Sequence, residues 1–204
     1  VQRFLSAHSG VELKKIRGQG ALDPEEQRLL YESADQLVAL RIEIDDTPGV
    51  TVPDVRARAK RMAMSGPVDL IVVDYLQLMR GTGNRGQTRE QEIGEVSRGL
   101  KGIAKEMHCT VLALAQLNRG VENRTGADRR PRVADLRESG SIEQDADIIA
   151  FLHREVVYDK SKPEYEAELL VKKHRAGELG DVPLYFDGKL TRFDSVAVHD
   201  RFQG

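Results

Sequence analysis

The chain has 204 residues, of which 40% are hydrophobic and 31% charged, with a formal net charge of −2. That length suits one ordinary domain, which buries roughly 70% of its unfolded surface without staples. The composition excludes a disordered chain. The single cysteine, Cys109, excludes an internal disulfide framework and a cysteine-based zinc site. No stretch approaches the ~20 apolar residues of a membrane span, and no secretory h-region opens the sequence. With no Trp and 5% aromatic residues, the core must be aliphatic. Cys109 lies in an apolar run and reads as an inert, buried thiol of a reducing compartment. The near-neutral charge leaves nucleic-acid binding open, but any basic site must be local.

Phe4, Leu5 and His8 stand at helical spacing from the start, and the chain opens at Val1 without Met. The expectation is that more chain precedes it. Asp23-Pro24-Glu25-Glu26 is a helix start, and the apolar spacing predicts a helix over roughly 24–40. Ile42 to Ile44 is a short strand candidate, and Thr47-Pro48-Gly49 a turn. Val52-Pro53-Asp54 opens an Arg-rich helix that stops near Ser65-Gly66-Pro67. Leu70 to Val73 is a continuous aliphatic run, expected as a strand buried on both faces. Arg80 to Thr88 reads as a loop. Residues 89–107 read as a helix with Ile93, Val96, Leu100, Ile103 and Met107 inward. Thr110 to Ala115 and Ile148 to Leu152 are further buried strands, separated by a long Arg-rich loop from Asn118 to Arg132. Glu168 to Lys173 and Val182 to Phe186 pair through a hairpin at 176–180. Alternating helices and buried strands predict an α/β layered fold with a largely parallel sheet. Ligands in such sheets sit beyond the carboxyl ends of the strands.

The residues at those ends are therefore the candidates. Leu70-Ile71-Val72-Val73-Asp74 is the Walker B pattern, which holds a carboxylate rigidly near Mg²⁺ and its water. An Asp that only caps the following turn has the same local sequence. The strand 110–115 ends in Gln116, a neutral amide suited to a γ-phosphate or an attacking water, or simply to loop backbone. From Arg119 to Arg137 there are six arginines against three acids, a segment able to track a phosphate backbone or to lie solvated. In Leu136-Arg137-Glu138-Ser139-Gly140-Ser141-Ile142-Glu143-Gln144-Asp145-Ala146-Asp147, small residues let backbone amides approach a phosphate. A helix capped by Ser141 is the alternative. Lys172-Lys173-His174-Arg175 places cations at a strand end and hairpin, able to reach a neighbouring subunit or to stand in solvent.

Taken together and in this order, these segments resemble the DnaB-type replicative DNA helicases of bacteria and phages, from Val1 to about Val196. Asp45-Asp46-Thr47-Pro48, Asp69 to Met79, Ala115 to Arg119 and Leu136 to Asp147 carry the resemblance. It implies a RecA-like P-loop NTPase core spanning 1–196, with 197–204 as a tail. It implies ATP and Mg²⁺ as cofactors, a homo-hexameric ring, and 5′ to 3′ movement on single-stranded DNA. Primase and a helicase loader are the implied partners, and the cytoplasm of a bacterium, at the nucleoid, the implied location. Asp74 would be the Walker B carboxylate and Gln116 the phosphate-sensing amide. Arg137, Glu138 and Gly140 would hold the DNA backbone, and Lys173 and Arg175 would reach the neighbour's nucleotide. His174 departs from the Gln typical between those two cations.

The motif G-x-x-x-x-G-K-[ST] is absent. The Gly188-Lys189 pair is followed by Leu190, and Pro183 stands where the first glycine is needed. The family's catalytic glutamate also falls upstream of Val1. The expectation is a domain without its first strands and P-loop helix. Two other readings stay open: another RecA-like ATPase, such as a recombinase or clock-type protein, and a non-catalytic DNA-binding or assembly module.

Overall fold

A computed structural model describes residues 1–81, 83, 86–121, 124, 129–136 and 139–196. The described residues cluster into two compact units. One comprises Val1–Asp45, Leu152–Leu170 and the chain from Asp181 onward; the other comprises Asp46–Phe151 and Val171–Gly180.

The first unit begins with α1 (Gln2–Ser9), α2 (Leu13–Ile16) and α3 (Pro24–Ala39). Gly10 takes φ 75° and ends α1, a backbone shape that costs a glycine least. Ser6 is buried, and its hydroxyl donates to the Val11 carbonyl at 2.7 Å. Helix α3 starts as the sequence predicts: Asp23 and Glu26 form a reciprocal capping box with Pro24 in the first turn. Lys15 bonds Glu26 at 2.5 Å, which ties α2 to that start and raises the lysine's pKa. Within this unit β5 (Gly180–Asp187) and β6 (Arg192–Ser195) run antiparallel, Leu184 facing Ser195 and Asp187 facing Arg192. Phe186 and Phe193 meet at 4.6 Å between ring centroids, and the Arg154 guanidinium lies 3.8 Å over the Phe186 ring.

The second unit holds α4 (Val52–Ala63), β1 (Leu70–Val73), α5 (Arg89–Met107), β2 (Thr110–Ala113) and α6 (Ser139–Asp145). Strands β1 and β2 are parallel, with Leu70 opposite Thr110 and Val73 opposite Ala113. Helix α5 supplies the core: Ile93, Val96, Leu100 and Ile103 are buried on one stripe. Capping boxes start both long helices, Thr51 with Asp54 and Thr88 with Gln91. Helix α5 packs on α4 through Gly99, where a Cβ would come within 2.6 Å of Val52 Cγ1. It packs on α6 through Gly94, where a Cβ would stand 2.9 Å from the Ser141 Cβ. The strands β3 (Ile148–His153) and β4 (Glu166–His174) each have residues in both units.

Several expectations are corrected. The strand candidate Ile42 to Ile44 is not a strand: it pairs with no described strand, and Ile42 and Ile44 are exposed. β1 is not buried on both faces: Leu70 and Val72 are 52% and 55% exposed, while Ile71 and Val73 are half-buried. β3 alternates in the same way, with Ile149, Phe151 and His153 buried and Ile148 and Leu152 exposed. An unbroken aliphatic run shows that either face suits burial, but burial itself depends on which helices pack there. Ser141 lies inside α6 and does not cap it.

Candidate nucleotide and DNA site

The parallel pairing of β1 and β2 decides how the first two candidates meet. Beyond the strands the chains stay joined: Leu114 N–H donates to the Val73 carbonyl, and Leu76 N–H to the Leu114 carbonyl, each at 2.9 Å. Asp74 and Gln116 therefore leave the carboxyl edges of neighbouring strands, both exposed. The Asp74–Tyr75 peptide bond is cis. The turn after Asp74 buries Leu76 and Met79, which anchors the strand end. Gln77 fastens it to the second strand: its side-chain oxygen accepts the Gln116 backbone N–H at 3.2 Å. The Arg89 guanidinium from α5 donates to the Gln77 carbonyl at 2.7 Å. Gln77 stands within a quoted motif, yet nothing in the sequence assigns it this role, because its partner is 39 positions away.

The Arg-rich segment after β2 folds back on itself. Asn118 N–H donates to the Asp135 carbonyl at 2.8 Å, and Leu117 bridges Leu136 in antiparallel fashion. Asp135 is buried, and both its oxygens receive the Arg124 guanidinium, one of them at 2.9 Å. The Arg132 N–H adds a bond at 2.8 Å. Burial pushes the Asp135 pKa up, but Arg124 and the Arg132 N–H together outweigh it and hold the carboxyl below its ordinary value. Arg124, one of the six arginines of the segment read as able to track a phosphate backbone or to lie solvated, is bonded to Asp135.

Of the three DNA candidates, Arg137 and Glu138 lie outside the described residues. Gly140 is in the first turn of α6. Among the described residues a Cβ there would meet only Glu90 Oε1, at 3.6 Å, so their packing does not demand a glycine.

Lys173 and Arg175 are brought together at the end of β4, against the other end of α6. The Lys173 ammonium donates to the carbonyls of Glu143 and Gln144. A cation there meets the negative end of the helix. Arg175 donates from its backbone to the Asp147 carbonyl at 2.9 Å and from its side chain to Asp147 Oδ1 at 3.4 Å. Lys101 of α5 binds the other Asp147 oxygen. Hydrogen bonding to Lys101, with the charges of Arg175 and Lys173, keeps the Asp147 pKa low. The His174 ring bonds the Glu178 carbonyl at 3.4 Å within the hairpin. Cys109 is half-buried, and burial pushes its pKa up. Among the described residues no cluster of three His, Cys, Asp or Glu side chains could hold a metal ion, and no helix is long and apolar enough to cross a membrane.

Parallel strands that deliver a carboxylate and an amide to one edge, flanked by helices, define a RecA-like α/β core. The family model for the DnaB-like helicase C-terminal domain matches residues 1–195, and the chain belongs to that family. The replicative DNA helicase DnaB of Geobacillus stearothermophilus is 42% identical over 203 residues, covering 99% of this chain and 44% of the relative. The replicative DNA helicase DnaB of Pasteurella multocida is 45% identical over 201 residues, covering 97% and 42%. The chain thus spans less than half the length of these relatives. A solved DnaB-like replicative helicase, described with its interactions with primase, superposes with a TM-score of 0.87 at 33% identity, covering 96% of this chain and 47% of that one. A second solved structure, of an ATPase domain, gives the same TM-score and identity, covering 96% and 69%.

Proposed function

We propose that the chain is the downstream part of the motor of a replicative DNA helicase. The motor hydrolyses ATP with Mg²⁺, works as a homo-hexameric ring, and moves 5′ to 3′ along one DNA strand while separating the duplex. The observation that carries this reading is the joined edge of β1 and β2, where Asp74 and Gln116 leave adjacent parallel strands. The family match supports it, and the relatives named above are replicative DNA helicases. Primase and a loader are the proposed partners, the first supported by the primase named with the solved relative. The cytoplasm, at the nucleoid, is the proposed location.

The residues fit Mg²⁺ and a nucleotide. Mg²⁺ keeps most of its waters and takes one or two carboxylates plus phosphate oxygens, so a single exposed aspartate suffices from this side. Asp74 would hold the ion, and Gln116 would hydrogen-bond the terminal phosphate or the water aligned on it. Bound Mg²⁺ would neutralise charge on the phosphates during transfer. The phosphate-cradling loop is not encoded in these residues, so another part of the parent protein must supply it. Lys173 and Arg175 would act in trans. In a head-to-tail ring one surface faces a different surface of the next subunit, and a hairpin cation there stabilises developing phosphoryl charge. Such cations contribute about 10³–10⁵ in kcat. To serve that role they must leave Asp147 and the end of α6. Arg137, Glu138 and Gly140 would follow the DNA backbone, giving salt-dependent and nearly sequence-independent binding.

Mixing two full-length variants tests the assignment. Asp74→Asn keeps the shape and removes the charge; Arg175→Ala removes the finger. Each is expected to lack ATPase activity alone. In mixed rings some interfaces pair an intact pocket with an intact finger, and activity should partly return. If mixed rings form and turnover stays absent, the in-trans assignment fails; if Asp74→Asn alone retains full kcat, Asp74 is only a turn cap.

A further inference from the structure

A wholly solvated arginine-rich loop would gain nothing from burying an aspartate. Yet Asp135 is 4% exposed, and the partly exposed Arg124 closes on both its oxygens. The cost of taking a carboxylate out of water is offset only when such bonds are made. The carboxylate also takes the Arg132 N–H at 2.8 Å, and the Asp135 backbone carbonyl takes the Asn118 N–H at 2.8 Å. Donors from Asn118, Arg124 and Arg132, on both limbs of the loop, thus converge on one residue. The Leu117–Leu136 bridge lies beside them, one residue from Gln116. On the other side of Leu136 the chain runs on to α6 and Gly140.

We propose that Asp135 is a positioning residue: clamped by Arg124 and the Arg132 amide, it locks the two limbs together, so that the chain enters α6 and Gly140 from a place fixed relative to Gln116. This rests on the reading of the 137–140 segment as DNA-contacting. Arg124 then serves the DNA indirectly and makes no phosphate contact of its own. A loop without the clamp occupies the binding geometry only part of the time, and apparent affinity falls by that fraction.

The sign of one substitution separates this from simple electrostatics. Asp135→Asn removes a negative charge beside a polyanion site, which by charge alone tightens DNA binding. The clamp requires the opposite. The probe is a fluorescein-labelled oligothymidylate titrated by anisotropy onto the full-length protein. Asp135→Asn and Arg124→Ala should each weaken binding ~10-fold, as for a loop competent about a tenth of the time. The double variant should be no more than about threefold weaker than either single, because both remove one interaction. Binding of a fluorescent ATP analogue should stay within about twofold of the parent. Amide exchange at Asn118 and Arg132 should quicken ~10-fold in both single variants. Arg124→Gln, made from the exposed side of the pair, serves where Asp135→Asn lowers the yield of folded protein. Unchanged or tighter DNA binding by Asp135→Asn, additive losses, or unchanged exchange at both amides overturns the proposal. Loss of the ATP analogue in parallel would make Asp135 a residue of general stability and overturn it too. If the unsubstituted protein binds no oligothymidylate, the DNA reading fails, and the exchange of those two amides alone then decides the clamp.

Discussion

Gly94→Ala places a methyl group in the seam between α5 and α6. The added carbon would meet Ser141 Oγ, which can rotate away, and Ser141 Cβ at 2.9 Å, which cannot. The Arg98 guanidinium, at 3.3 Å, is the end of a flexible side chain and can also yield. Relief therefore needs a shift of α6 itself by a few tenths of an ångström. Overpacking of this kind costs about 1–3 kcal/mol. Replacing glycine by alanine inside a helix returns about 0.8–1 kcal/mol. The net expectation is a loss of about 1 kcal/mol, or roughly 2–4 °C in Tm for a chain of this size. Denaturant unfolding of Gly94→Ala, Ser141→Gly and the double variant measures it. In the double variant the Cβ contact is gone, so the alanine should keep its helix gain and return stability to within about 0.5 kcal/mol of the parent. A coupling of about 1–3 kcal/mol between the two sites follows. Because α6 carries Gly140 and the carbonyls that hold Lys173, Gly94→Ala should also weaken DNA binding, and Ser141→Gly should restore it. Additive stabilities, or a stabilised Gly94→Ala, would refute the reasoning, since propensity alone would then govern the site.

Gly140→Ala should leave thermal stability unchanged or slightly raised, because among the described residues a Cβ there meets only Glu90 Oε1 at 3.6 Å; DNA affinity by anisotropy should nevertheless fall if backbone approach to a phosphate is what the glycine serves. Asp135 has its folded pKa lowered, so its stabilisation is fully present above the ordinary aspartate value of about 3.9 and is lost as pH falls below it. Unfolding curves taken down that acid limb should be shallower for Asp135→Asn than for the parent. The 204-residue chain alone should show no DNA-stimulated ATPase activity, because the phosphate-cradling glycines and lysine are not in it; turnover above a contamination control would overturn that expectation.

Local chemistry sufficed for several of the elements. Proline and acids after Asp23, aliphatic spacing over 89–107, and the apolar runs before Asp74 and Gln116 dictate helix or strand through contacts a few residues apart, and the structure follows them. Long motifs also made the family legible before any coordinate was known. Burial was not legible in the same way. Leu70 and Val72 are as aliphatic as any core residue yet are exposed in these 204 residues, because a strand's own sequence does not supply the layer that covers it. Ile42 to Ile44 had strand composition, but a strand exists only where another edge accepts its hydrogen bonds. Charges were the least predictable. Nothing in the sequence pairs Arg124 with Asp135, 11 positions away; the fold places them within bonding distance. Lys173 and Arg175 read as cations reaching a neighbour or standing in solvent; the structure sets them against the end of α6 and Asp147. A charge's role is set by whichever group neutralises it, and over such separations in sequence only the folded chain chooses that partner.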